Sequence, residues 1–302
     1  MLPLLVLGGA CSRERESERT GDSPQEKVAY SSSVGGSWQI WVSPVDGGSP
    51  VQRTHSLEDV HYPAWSADGK KLAYTSNDGA VWIIEAGGEP RRLANLPSNC
   101  SHPAWSPDDS RLAVACSWLQ DRKEFTNIWI LNLRTNSVSE LMDQGSAQKR
   151  QHPAWSPDGA TIAYTNGYRV SASKIVEELW LVDSDGTNAK PLVVNGFFNL
   201  QPDWSPDGEW IAFASNQSGS MNIWMVDRSG TRLQQLTRGK SYDGDPSWSP
   251  DGSRLCFAST RSGTMQIWIA DSSGANLRQL TGLSPSESHA ESTEPHWARA
   301  GK

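Results

Sequence analysis

The sequence has no apolar run long enough to cross a membrane as a helix. Its longest run covers residues 2–10, about half of the roughly 20 residues that a spanning helix needs. It also lacks a basic excess, because 27 Lys and Arg stand against 34 Asp and Glu, for a net charge of −7. Proteins that bind polyanions usually carry a basic stripe, so we expect no nucleic-acid partner.

Motifs that mark several enzyme classes are absent as well. The chain has no HExxH, no CxxC, no P-loop pattern and no GxSxG nucleophile elbow. The acidic string DSDGTN at residues 183–188 has its Gly too early for an EF-hand loop and lacks the Glu that ends one. An Asp-Gly hairpin turn is the better interpretation. We therefore expect no resident metal and no cofactor.

The N-terminal segment resembles a bacterial secretory signal. LGGAC, just before Ser12, is similar to a lipoprotein cleavage box with Cys11 as the acylated residue. Gly8 stands where such boxes usually have Leu, and no Lys or Arg precedes the run, so a plain signal peptide cut nearby is an alternative. Residues 1–11 are thus assigned to the signal, and residues 12–26, of mixed charge and without hydrophobic period, to a disordered tether.

One motif recurs along the rest of the chain. It reads YPAWSADG, HPAWSPDD, HPAWSPDG, QPDWSPDG and DPSWSPDG, with a degenerate sixth copy, EPHWARAG, at residues 294–301. Each of the first five copies is followed by three short β-like runs, such as IAYTN, LWLV and a shorter segment that ends near a Leu. Four runs of strand length, punctuated by Gly, Asp and Pro, predict one four-stranded propeller blade per repeat.

The first blade is split between the two ends of the chain. VAYSS at residues 28–32, IWVS at 40–43 and VQRT at 51–54 match the second, third and fourth strands of a repeat, and EPHWA supplies the missing first strand. Joining these segments would close a ring without an exposed sheet edge on that blade. We therefore predict an all-β, six-bladed propeller of four-stranded blades over residues 27–302.

The positions of the tryptophans and cysteines agree with the predicted four-stranded repeats. Twelve of the 15 Trp occupy two equivalent positions, on first and third strands, which favours a structural role over a ligand cage. Cys256 takes a place held by Ala in other repeats. Cys100 and Cys116 would lie almost opposite in the hairpin that Trp105 begins, so an exported protein could join them as a disulfide or leave them as free thiols.

The motif PAWSPDG…IAY…LWLVDSDG resembles the WD40-like repeats of the bacterial TolB family, over residues 27–302. The resemblance implies a six-bladed propeller closed by shared strands. TolB itself has a mixed α/β domain before its propeller, whereas only a short tether is expected here. The same repeats also occur in propellers attached to peptidases and in some polysaccharide lyases, so the motif indicates fold more strongly than function.

Two groups of residues are candidate sites. The first lies on the face that holds the enlarged loops at residues 117–127 and 166–178 and the inter-blade links at 195–201 and 281–294. Aromatic and Arg side chains there are typical of interface hot spots, although each ring could instead fold back over a blade. This candidate partner-binding group comprises Trp118, Arg122, Phe125, Tyr168, Arg169, Phe197 and Phe198.

The second group precedes the motif prolines, where sixfold geometry brings the side chains toward a central channel. Such residues could bind an ion or a polar ligand, or simply hydrogen-bond neighbouring loops. The channel-mouth candidates are Tyr62, His102, His152, Gln201, Asp245 and Glu294, with His61 one position earlier in its repeat.

These observations favour a secreted, lipid-anchored, monomeric propeller that binds an envelope protein in the periplasm or at the cell surface and has no catalytic activity. A metal-assisted polysaccharide lyase using the channel mouth is one alternative. An accessory propeller that docks a separate hydrolase is another.

Overall fold

The computed structural model describes residues 26–85, 87–143, 149–171, 174–282 and 290–298. Every regular element in these ranges is a β-strand, and none of the described residues forms a helix long and apolar enough to cross a membrane. The proposed signal, Cys11 and most of the tether lie outside the described residues. The strands are β1 (Lys27–Ser32), β2 (Gln39–Pro44), β3 (Val51–Gln52), β4 (Val60–Trp65), β5 (Lys71–Ser76), β6 (Val81–Glu85), β7 (Arg91–Arg92), β8 (Cys100–Trp105), β9 (Arg111–Gln120), β10 (Lys123–Asn132), β11 (Val138–Glu140), β12 (Lys149–Trp155), β13 (Thr161–Ser171), β14 (Lys174–Asp183), β15 (Lys190–Val193), β16 (Asn199–Trp204), β17 (Trp210–Ser215), β18 (Asn222–Asp227), β19 (Leu233–Gln235), β20 (Asp243–Trp248), β21 (Arg254–Ser259), β22 (Gln266–Asp271), β23 (Arg278–Gln279) and β24 (Ser292–Trp297).

The strands form antiparallel units of four, which confirms the predicted all-β propeller. Four units are separate sheets: β24-β1-β2-β3 (blade 1), β4-β5-β6-β7 (blade 2), β16-β17-β18-β19 (blade 5) and β20-β21-β22-β23 (blade 6). The other two, β8–β11 (blade 3) and β12–β15 (blade 4), join into one eight-stranded sheet through a single parallel pair, Thr126 with Lys149. The innermost strands contact one another in a closed cycle of β24, β4, β8, β12, β16 and β20. This arrangement fits the predicted count of six blades.

Blade 1 combines the two ends of the chain as predicted. Val28 pairs with Trp297, and Ser32 pairs with Ser292, so β24 covers the edge of β1. The backbone N–H of Ala298 also donates to the carbonyl of Lys27 at 2.9 Å. The C-terminal strand therefore completes the N-terminal sheet.

The recurring SPDG sequence builds the turn between first and second strands. In blade 4 the hydroxyl of Ser156 donates to Asp158 at 2.5 Å and accepts from the N–H of Thr161 at 2.9 Å. Asp158 in turn accepts from the N–H of Ala160, and Gly159 has a φ of 70°, which a side chain would strain. The motif is thus a compact network that ends one strand and begins the next.

Two classes of Trp divide the interior. The first-strand Trp are buried between blades, and the indoles of Trp105, Trp155 and Trp204 donate to the carbonyl of an Ala in the preceding blade. The third-strand Trp are only half-buried, so they contribute less burial than the first-strand set. The half-buried set comprises Trp41, Trp82, Trp129, Trp180, Trp224 and Trp268.

Candidate functional site

Six residues at the start of the inner strands share an unusual backbone conformation. Each directly precedes the motif proline, lies at or next to a β-bulge, and has a left-handed φ between 51° and 56°. Non-glycine residues occupy this region rarely, at a cost on the order of 1–3 kcal/mol each, and such strain clusters at functional sites. All six line a central cavity of about 140 Å³. They are Tyr62, His102, His152, Gln201, Asp245 and Glu294.

One wall of this channel mouth is acidic. Glu294 Oε2 accepts from the N–H of Tyr62 at 2.7 Å and from the hydroxyl of Ser31 at 2.6 Å. Asp245 accepts from the hydroxyl of Thr293 at 3.4 Å, and its own N–H donates to Gln201 Oε1 at 3.1 Å. On this wall, side chains thus satisfy backbone groups of the next blade around the ring.

The opposite wall is a row of contacting rings, which meet tilted or edge to face. The centroids of Tyr62 and His102 are 4.0 Å apart, and those of His102 and His152 are 4.2 Å apart. His61 lies outside the cavity lining, between Tyr62 and Trp38, at centroid distances of 5.9 and 5.3 Å, and its Nδ1 is 3.6 Å from Glu294 Oε2. This row of rings therefore reaches from the channel to the surface loop that contains Trp38.

The two walls differ in their protonation. Burial, and then the charge of Glu294, raise the pKa of Asp245 to about 7, although the side chain keeps some exposure to the channel. Burial lowers the pKa of His152 to about 4 and, with the charge of His152, lowers that of His102 well below its ordinary value. For His61 burial lowers the pKa, but a hydrogen bond to Glu294 and nearby carboxylates give a net rise. The mouth thus combines neutral imidazoles with a carboxyl group that titrates near pH 7.

A second polar layer lies two residues further along the inner strands than the channel-mouth residues. The residue between Pro and Trp is Ala in three repeats but Asp203, Ser247 and His296 in the others, and those side chains accept from the N–H groups of Trp248, Trp297 and Trp65 at 2.8, 3.1 and 3.2 Å. We did not single out this layer from the sequence. The change from Ala to polar residues at one motif position could have indicated it.

The channel carries chemistry for polar binding. Neutral imidazoles accept or donate one hydrogen bond per nitrogen, and Asp245 can hold or release a proton. Within the described ranges no group of three or more His, Cys, Asp or Glu is arranged to hold a metal ion. The described residues therefore do not form the metal site that a metal-assisted lyase would need.

The predicted enlarged loops are continuous β-hairpins. Strands β9 and β10 extend to a two-residue turn at Asp121 and Arg122, both with positive φ, and Trp118 pairs with Phe125 across the hairpin. Their rings stack at a centroid distance of 5.7 Å and an interplanar angle of 15°. The cross-strand pair of Trp118 and Phe125, together with the two-residue turn, supports this extension beyond the blade.

The second hairpin, β13–β14, is connected to the first through β12, which pairs with both β10 and β13. A parallel bridge joins Glu177 to Phe198, and the hydroxyl of Tyr168 donates to the buried Glu178 at 2.6 Å. Arg169 is exposed near the tip. Among the described residues, no ring contact links Tyr168 to the Trp118–Phe125 pair. The seven candidates therefore share one face, but stacking unites only two of them.

Besides the candidates Phe197 and Phe198, this face exposes four further large apolar residues. Leu119 is 77% exposed, Val194 58% and Val170 50%, and Ile175, at the start of β14, is 48% exposed. Phe197 and Phe198 are 44% and 38% exposed. Their exposure on two long hairpins and on the link after β15 depends on strand pairing, which composition does not reveal. We call these six residues the hairpin patch.

The structure contains a disulfide between Cys100 and Cys116. The two residues are directly paired in the β8–β9 ladder, two positions beyond a bulge. Cys256 is a free, fully buried thiol between blades 6 and 1. The bridge lies where the long hairpin leaves blade 3, so it ties the base of that hairpin to the innermost strand.

Comparisons with solved structures show the same fold. TolB from Acinetobacter baumannii superposes with a TM-score of 0.72 over 91% of this chain and 67% of the TolB chain, at 22% identity. An oligogalacturonate lyase in complex with manganese superposes with a TM-score of 0.58 over 84% of this chain and 73% of the lyase, at 17% identity. At these identities the likeness concerns the fold alone.

Sequence comparisons give the family. The Tol-Pal system protein TolB of Methylobacillus flagellatus is 36% identical over 77 residues, which make up 24% of this chain and 18% of that relative. The match thus spans less than a fifth of the relative's length. The family model of the TolB β-propeller domain matches residues 25–175 and, again, residues 152–302. Because these matches cover nearly the whole chain, the protein belongs to the TolB β-propeller domain family.

Proposed function

We propose that this protein is a non-catalytic scaffold that binds a protein partner of the bacterial cell envelope through the face carrying its long hairpins. The observation that carries this proposal is the hairpin patch. Six large apolar side chains are exposed on the two long hairpins and on the link after β15, and Arg122 and Arg169 lie in the same two hairpins. Exposed apolar groups with aromatic and Arg neighbours are characteristic of protein interfaces.

The proposed location is outside the cytoplasm, in the periplasm or at the cell surface. The signal-like residues 1–11 support export, and Cys11 is the proposed lipid attachment site. Residues 12–26 would be the tether and 27–302 the propeller. The partial match to a Tol-Pal system protein supports an envelope partner in general. The only membrane link in this proposal is the N-terminal lipid, and the propeller acts as a monomer.

A capture experiment with matched variants tests the proposal. The full chain would serve as bait in solubilised native envelope, beside the variant Ile175→Ser/Phe197→Ser. The control is Leu233→Ser/Leu277→Ser, which removes two apolar side chains of similar exposure, 45% and 44%, one in β19 and one directly before β23, away from the hairpins. We expect one partner to be captured by the native protein and the control and lost by the hairpin variant. Equal capture by all three would refute the hairpin interface.

The enzymatic alternatives have distinct outcomes in the same preparation. A metal-assisted lyase would contain stoichiometric metal and cleave a polyuronide, and both would be lost in His102→Ala and His152→Ala. An accessory propeller would capture a hydrolase as its partner. We expect neither stoichiometric metal nor cleavage, because His102 and His152 contact each other edge to face, and the described residues bring no third ligand to them.

A further inference from the structure

A second cavity, of about 370 Å³, lies between blades 1 and 2. It shares only Trp65 with the lining of the central channel. Its floor includes the buried side chains of Val42, Leu72 and Ile84, and Val51, at the rim, is 54% exposed. The volume is within the range of small-molecule sites, roughly 300–1,000 Å³.

The polar part of this cavity is basic. Lys27, Arg53 and Lys70 line it, and no acidic residue is among its described lining residues. Lys27 Nζ lies 4.4 Å from the centroid of the Trp65 ring, so the ammonium group is held over the floor. In a protein with a net charge of −7, three cations around one apolar cavity are an unusual concentration of positive charge.

The equivalent cation one blade earlier in the ring is neutralised. Arg254 is also the first residue of a second strand and also covers a first-strand Trp, at 5.1 Å from the Trp297 ring. It pairs with Glu26 at 2.8 Å and with Asp46 at 3.4 Å. Within the part of the chain that the structure describes, neither Lys27 nor Arg53 has an acidic partner. Lys70 has one exposed pair, with Asp68 at 3.8 Å.

Lys27 is thus both partly buried and next to a like charge. Burial, and then the positive charge of Arg53, lower the pKa of the Lys27 amine. An anion between the two side chains would relieve both penalties, since an opposite charge favours the protonated amine. The adjoining apolar floor would at the same time favour a ligand with a hydrocarbon tail.

We propose that this cavity binds a single-chain amphipathic anion of the medium-chain carboxylate class. The carboxylate would lie against Lys27 and Arg53, and the alkyl chain would cover Val42, Leu72 and Ile84. This site is independent of the hairpin patch and of the central channel, so its outcome does not depend on the scaffold proposal.

Calorimetric titration of the full chain with octanoate tests the site. We expect saturable binding at one equivalent, weakened at least about tenfold in Lys27→Met/Arg53→Gln, and retained in Lys27→Arg, which keeps the charge. Arg111→Met is the matched control, because Arg111 covers Trp155 at 4.4 Å in the same way but lies outside this cavity. Native affinity is expected for that control.

Two further ligands distinguish the contribution of the carboxylate group from that of the alkyl chain. Acetate keeps the carboxylate without the chain, and 1-octanol keeps the chain without the charge, so each should bind at least about tenfold more weakly than octanoate. Circular dichroism would establish that each variant is folded. The proposal is overturned if octanoate does not bind, if acetate or octanol binds equally well, or if the folded Lys27→Met/Arg53→Gln protein keeps native affinity.

Discussion

The backbone N–H of Tyr62 donates to Glu294 Oε2 at 2.7 Å, which joins the last strand of the chain to the first strand of blade 2. The same oxygen accepts from the Ser31 hydroxyl on β1 at 2.6 Å. One carboxylate therefore connects three strands at the junction where the ring closes.

Replacing the Glu294 carboxylate should destabilise the junction between β24, β1 and β4. Glu294→Ala leaves a buried N–H and a hydroxyl without their acceptor, so we expect unfolding free energy to fall by about 1–3 kcal/mol. Urea denaturation would measure it. Glu291→Ala is the control, since Glu291 is exposed and contributes only backbone groups to its contacts with Ser32 and Ser33. Equal losses in the two variants would contradict the assigned role.

Asp245 should make stability depend on pH around neutrality. Its pKa is about 7 in the folded protein against an ordinary value of 3.8, so the folded state binds the proton more tightly than the unfolded state does. The stabilisation is fully present below about pH 4 and is lost as pH rises through 7. Asp245→Asn cannot ionise and should remove this part of the slope. Unfolding curves from pH 4 to 8 would show it, and superimposable profiles would argue against it.

Asp109 should stabilise the folded protein more than the glycine that other repeats have at its position. Its φ is 56°, yet its carboxylate accepts from the N–H groups of Ala67 and Asp68 at 2.6 and 3.0 Å, across to blade 2. Asp109→Gly relieves strain of about 1 kcal/mol but removes two charged hydrogen bonds, each worth roughly 1.5–3 kcal/mol. We therefore expect net destabilisation by thermal unfolding. A gain in stability would show that strain dominates.

The disulfide should contribute measurably to stability. Cys100 and Cys116 are separated by 16 residues, and closing a loop of that length is worth about 3 kcal/mol in the chain-entropy estimate. Cys100→Ala/Cys116→Ala should lose about that amount, while alkylation of the native, unreduced protein should leave both cysteines unmodified. Labelling of both thiols before reduction would disprove the bridge. Cys256→Ala serves as a comparison without a bridge.

Much of the architecture could be predicted because one motif marks the same strand in every repeat. Each inner strand, from β4 through β24, ends at its motif Trp, and the pairing of Val28 with Trp297 follows from matching partial repeats. The long hairpins were interpreted as loops because residues 117–127 contain charged residues and no recurring pattern. Their pairing rests instead on cross-strand contacts, such as Trp118 against Phe125, and on a turn at Asp121 and Arg122.

The channel mouth was located from the sequence, but its character was not. The position before each motif Pro identifies the residues, whereas the left-handed φ of Gln201 or His102 arises from a bulge that only the ladder register defines. The raised pKa of Asp245 depends on burial and on Glu294, which is 49 residues later in the chain and reaches it only around the ring. Such long-range electrostatics have no local sequence signal.

Ring closure between β1 and β24 also has a consequence for how the protein folds. Val28 pairs with Trp297, so the contact that completes blade 1 joins residues from the two extremes of the described chain. The entropy of closing a loop rises with its length, and folding rates fall as contacts become less local. Local hairpins such as β9–β10 can form early, whereas blade 1 must wait for its last strand. Until then β1 has an unprotected edge, which makes the unfinished propeller the form most exposed to aggregation.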